Sequence, residues 1–216
     1  MINSSLLLGS GANIANMSVE EFAFIKHLTM LQNAKTSWST FENYVLGILK
    51  KAIEELQKNA NVFKFDDTTE DAYTAYLLAH FNSDAMFGLS YTHDGNSRGH
   101  ADMTVQYSNF TWHGEAKKHS SYDYLLDGYL QLTERYTTGD SNNQSGAIII
   151  YVKNKDTLKV MNNWKKHLIS NKGKTVIFSS SNGKQLILDS THKHSASGLK
   201  FKTIHFPVIL YYKPIV

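Results

Sequence analysis

Cysteine is absent from the 216 residues, which excludes a disulfide framework, cysteine-ligated zinc and thiol catalysis. Only two prolines occur and there is no low-complexity run, so long disordered linkers are not expected. No stretch approaches the ~20 consecutive apolar residues of a membrane-spanning helix. Leu6-Leu7-Leu8 is too short for a signal peptide and lacks a basic segment before it. These absences predict a soluble, cytoplasmic protein with no membrane contact. Net charge is only +3, but its distribution is uneven. Residues 1–108 hold 7 Lys and Arg against 12 Asp and Glu, whereas residues 109–216 hold 15 against 7. That asymmetry points to a polyanion facing the later half. A 42% apolar fraction suffices for a substantial core.

What is present centres on the stretch from Gly99 to Lys117. It alternates with period two on both sides of Ser108-Asn109, the pattern of a β-hairpin with a two-residue loop. Tyr107 then pairs with Phe110, and Asp102 falls opposite Glu115. One face carries Ala101, Met103, Val105, Tyr107, Phe110, Trp112, Gly114 and Ala116, and reads as core. The other carries His100, Asp102, Thr104, Gln106, Thr111, His113, Glu115 and Lys117. Like charges on directly opposed residues destabilise a hairpin unless something offsets them. A hard cation such as Mg²⁺ or Mn²⁺ does so through oxygen ligands. Carboxylate, carboxylate and lysine around such an ion suit phosphodiester hydrolysis.

The pattern Asp102…Glu115-Ala116-Lys117 resembles the PD-(D/E)XK nuclease superfamily, with Ala101 standing where many members have proline. The resemblance implies that Asp102 and Glu115 bind Mg²⁺ or Mn²⁺, with the Ala116 carbonyl as a further ligand and Lys117 as the catalytic lysine. It also implies an acidic residue on the helix before the first strand that supports the metal directly or through water, for which Glu70 is the candidate. A glutamine on the helix after E-x-K orients the nucleophilic water, and Gln131 fits that role. Members often carry a tyrosine four residues after this glutamine. Here Arg135 takes that position, and Tyr136 comes one residue later.

The chain order supports an α/β fold. Ser18-x-x-Glu21 is a capping box opening a first helix, and a second is expected over 39–58. Thr68-x-x-Asp71 caps a third helix that runs to about His80. Strands are expected over Ala85–His93 and in the hairpin, with a turn at 94–97 and a helix from Ser121 to Thr137. Gly146–Val152 is a near-continuous apolar run, the mark of a strand buried on both faces. A helix over 156–170 and strands over 175–179, 185–188 and 202–212 follow, with a turn at 180–183. Ser190–Leu199 reads as a polar loop carrying His192 and His194. By resemblance the core is αβββαβ, restriction-endonuclease-like, with a central mixed sheet flanked by helices. Residues 1–65 form an N-terminal helical extension and residues 66–216 the nuclease domain. Arg98 and His100 approach the Asp102 end of the site.

The implied function is a metal-dependent nuclease cutting DNA, with DNA ahead of RNA as substrate and bacterial defence or restriction as its setting. The N-terminal helices offer a surface for a second copy or another protein. The alternatives are an RNA-cutting nuclease and a non-catalytic nucleic-acid-binding or assembly module.

Overall fold

In the computed structural model, which describes residues 17–213 except 64, 94, 97–99 and 180–185, the apolar run before Val152 lies at the centre of the molecule. The helices are α1 (Val19–Asn33), α2 (Trp38–Lys58), α3 (Glu70–Ala79), α4 (Tyr122–Leu130) and α5 (Thr157–Lys172). The strands begin with β1 (Ser90–Thr92), β2 (Gly95–Asn96), β3 (His100–Ala101), β4 (Met103–Tyr107) and β5 (Phe110–Lys118). They continue with β6 (Ser145–Val152), β7 (Ile177–Phe178), β8 (Leu188–Lys193) and β9 (Lys200–Ile209). Seven of them form one mixed sheet in the order β1-β4-β5-β6-β9-β8-β7, and β2 pairs with β3 separately. β5, β6 and β9 run parallel, while the outer pairings are antiparallel. The protein is therefore α/β with a seven-stranded mixed central sheet flanked by helices.

β6 is buried at every position because both faces of the sheet are covered. Ile149 and Tyr151 face a core shared with Phe41, Leu49, Tyr73 and Leu77 from α2 and α3. Ile148 and Ile150 face the opposite core, built with Leu125 and Tyr129 of α4 and Val160, Trp164 and Leu168 of α5. Leu31, Ala34, Trp38 and Phe41 from the N-terminal helices belong to the first core, so this segment packs directly against the sheet. The capping box at Ser18 forms, with Glu21 returning a bond to the Ser18 backbone. Among the described residues, no helix is long and apolar enough to cross a membrane.

Three expectations need correction. The strand expected over Ala85–His93 is confined to its end, since Asn82–Phe87 forms a short 3-10 helix closed by Gly88 at φ 87°. The cause is Asp84, fully buried against the N-terminal helices. Its Oδ2 accepts the Tyr44 hydroxyl at 2.7 Å and its Oδ1 meets His27 Nε2 at 2.5 Å. Second, Ser190–Leu199 is not all loop, because β8 extends to Lys193. After Leu188 its inward residues are polar: Ser190 Oγ meets His205 Nε2 at 2.8 Å, and His192 Nδ1 meets the Tyr129 hydroxyl at 3.2 Å, while His192 Nε2 is buried with no partner among the described residues. Third, α3 is capped by Thr69 rather than Thr68, its side chain accepting from Ala72 N, which makes Glu70 the first helical residue. The expectations for residues 1–16, the turns at 94–97 and 180–183 and Arg98 concern, wholly or in part, residues outside the described set.

Replacing Tyr44 by Phe leaves the buried Asp84 carboxylate short of one donor. The expected loss is about 1–3 kcal/mol of folding stability, the usual cost of an unsatisfied buried group. A lower urea midpoint with an unchanged slope will show it; an unchanged midpoint would mean that His27 alone suffices.

Candidate active site

The hairpin forms as its pattern predicts. Ser108 takes a left-handed conformation at φ 56°, Tyr107 pairs with Phe110, and the register runs to Met103 opposite Gly114. One more step would set Asp102 opposite Glu115, but the chain bends there. Ala101 leaves the main sheet and pairs with Gly95 instead. In a ladder closed by a two-residue loop the hydrogen-bonded residues alternate, here Phe110, Trp112 and Gly114 of β5. Ala116 and Lys118 continue that series with no strand beside them.

Two carboxylates take the missing strand's place. Asp102 Oδ2 accepts the Ala116 N–H at 2.8 Å, and Glu70 Oε2 accepts the Lys118 N–H at 2.5 Å. The Ala116 carbonyl faces the same open edge, since N–H and C=O of one strand residue point the same way. Glu70 is held from both directions. Lys118 Nζ bonds the carbonyls of Phe65 and Thr68, anchoring the entry to α3, and Tyr124 donates its hydroxyl to Glu70 Oε1 at 2.8 Å. The sequence-predicted acid therefore lies beside the pair, with each oxygen already bonded.

Glu115 and Lys117 project from β5 toward α4. Lys117 Nζ is 2.6 Å from Glu115 Oε1 and 3.7 Å from Asp102 Oδ2. Glu115 is 1% exposed, and its Oε2 is buried with no hydrogen-bond partner among the described residues. Burial pushes its carboxyl up to about 7 and the charge of Asp102 adds to this, while Lys117 restrains the rise. Burial also raises Asp102, against the pull of Lys117 and the Ala116 N–H. For Lys117 burial works against the ammonium, but Glu115 and Asp102 overcome it and the net shift is upward. It is thus a fixed cation at neutral pH. α4 comes this close because residue 128 is glycine. A Cβ there would fall 2.9 Å from Lys117 Cγ and 3.3 Å from Glu115 Cγ.

Beyond Leu130 the helix widens. Gln131–Tyr136 is a π-helix, in which i→i+5 bonds admit one extra residue per turn. Tyr136 thereby reaches about the place that a residue four after Gln131 takes in an α-helix. Arg135, at the expected tyrosine position, is exposed, while Tyr136 is buried. Burial raises the Tyr136 phenol and the charge of Glu115 adds to this, so its hydroxyl shares the field of the site. Gln131 is half-buried and its Oε1 has no partner among the described residues. His113, two residues before Glu115 on the same face, bonds Thr104 through Nδ1 at 3.1 Å. Burial lowers it to about 4, so it is a neutral wall of the site. His192 and His194 lie in a separate cluster, where they bond Tyr129 and Thr137.

Sequence reasoning missed Tyr124 and Gly128. The glycine left a weak signal: an isolated glycine inside a helix costs about 1 kcal/mol relative to alanine, but Gly47 in α2 carries the same signal with nothing packed against it.

Among the described residues, no group of three or more His, Cys, Asp or Glu is arranged to hold an ion. The fit of a hard cation rests on the unpartnered Glu115 Oε2 beside Asp102 and the Ala116 carbonyl. That all-oxygen set suits Mg²⁺ or Mn²⁺, which commonly use one or two carboxylates and retain several waters.

An ion on Glu115 competes with its proton. Because the free carboxyl titrates near 7, Mn²⁺ affinity should rise about tenfold per pH unit below that value and level off above it. Calorimetric titrations from about pH 5 to about pH 9 test this, and Glu115→Gln should abolish the slope. A flat wild-type profile would assign the ion to other ligands. In comparisons of the whole chain with known proteins, no family model, curated protein or solved structure matches it.

Proposed function

We propose that this protein is a divalent-metal-dependent nuclease that hydrolyses phosphodiester bonds in DNA, built on a restriction-endonuclease-like core. The observation that carries the reading is the open edge of β5. There Asp102 Oδ2 holds the Ala116 N–H, Lys117 Nζ lies 3.7 Å from Asp102 Oδ2 and 2.6 Å from Glu115 Oε1, and Glu115 Oε2 is buried with no partner among the described residues. The succession α3, β1, β4, β5, α4, β6 agrees with the αβββαβ order that accompanies such a site. The surplus of Lys and Arg after residue 108 favours a polyanionic substrate.

Asp102, Glu115 and the Ala116 carbonyl would hold Mg²⁺ or Mn²⁺. When bound, the ion supplies Lewis acidity toward the phosphate and a lowered pKa for its water. Lys117, held as a cation by Glu115 and Asp102, would donate to the scissile phosphate and offset the charge that grows on its oxygens. Gln131 offers its amide oxygen to the attacking water, and Tyr136 closes the wall behind it. A bacterial defence or restriction role belongs to the same proposal.

Incubation with supercoiled plasmid, single-stranded DNA and RNA in Mg²⁺ or Mn²⁺ tests the reading. DNA cleavage that EDTA abolishes is expected, and each of Asp102→Asn, Glu115→Gln and Lys117→Ala should lower its rate at least ~100-fold while staying folded. Cleavage of RNA alone would reassign the substrate. Absence of cleavage with every nucleic acid, or a wild-type rate in Glu115→Gln, would overturn the proposal.

A further inference from the structure

We infer that Tyr124 is a positioning residue for the metal-loaded site and acts through Glu70; the inference rests on the site reading above. Tyr124 lies in the first turn of α4 and is 36% exposed at the mouth of the site. Its hydroxyl donates to Glu70 Oε1 at 2.8 Å, while the Lys118 N–H holds Oε2. Each carboxylate oxygen is thus fixed from a different element, one by the helix and one by the strand. The same ring lies 5.6 Å from Lys117 Nζ, within cation–π distance. One side chain therefore touches both the outer carboxylate and the central ammonium.

A ring alone would cover Lys117; the hydroxyl adds the bond to Glu70. That bond fixes the orientation of a carboxylate whose charge acts on both Asp102 and Lys117. Without the phenol, Glu70 keeps, among the described residues, its bond to Lys118 and can rotate about it. Its charge then shifts relative to Asp102 and Lys117, and the ligand geometry loosens. Groups that orient metal ligands from outside the coordination sphere commonly act this way.

The test is a double-mutant cycle on Mn²⁺ binding, measured by calorimetry without substrate, using Tyr124→Phe, Glu70→Gln and the pair. Tyr124→Phe should weaken binding about tenfold, the lower end for such orienting groups, with the melting temperature unchanged. In the Glu70→Gln background the same replacement should have no further effect. Wild-type affinity in Tyr124→Phe, or an undiminished effect in the absence of the Glu70 carboxylate, overturns the inference. Cleavage assays on the same proteins separate this from the nuclease proposal. A wild-type chain that binds Mn²⁺ but cuts no nucleic acid loses that proposal, while the cycle still decides the role of Tyr124. A wild-type chain that binds no Mn²⁺ overturns both.

Discussion

The site depends on where β4 releases β5. Had the hairpin continued two more pairs, Ala101 would have met Ala116 and the edge of β5 would be closed. The bend at Asp102 prevents this and leaves two backbone N–H groups that must find acceptors. Asp102 and Glu70 supply them. The acids are thus structural before they are chemical: they complete a ladder, and by doing so they come to rest along the edge where the Ala116 carbonyl is exposed. Backbone hydrogen bonding and proposed ion binding are consequences of a single break in pairing.

Charge follows from that arrangement. Glu115 and Asp102 are raised and Lys117 is raised, so the carboxylates resist ionisation while the ammonium resists neutralisation. One cation does not fully compensate the acids around it, and burial amplifies the deficit. The unpartnered Glu115 Oε2 is the local expression of this deficit. Lys117 lies against the other oxygen, Oε1, at 2.6 Å.

Much of this was legible in the sequence. Period-two alternation about Ser108-Asn109 gave the hairpin, and the apolar run to Val152 gave the central strand; the direct opposition of Asp102 to Glu115 was not formed, because the ladder ends at Met103 and Gly114. Three things were not legible. The bend at Asp102 leaves no mark, since it depends on β3 finding β2 rather than on any local preference. The reach of β8 to Lys193 escaped because its inward residues after Leu188 are Ser190 and His192, polar groups that pack only against tertiary partners. The π-helix escaped because one residue too many between Gln131 and Tyr136 reads as a mismatch until the helix is seen to widen. Periodicity records which residues are apolar; it does not record which polar residues find partners after folding.

The sheet's outermost strands have a consequence of their own. β1 has three residues and β7 has two, and they close the two ends of the seven-stranded order. Short terminal strands offer little unpaired backbone to another chain, which blunts sheet-to-sheet polymerisation. Strand addition to either end of this sheet is thereby limited to two or three residues of backbone.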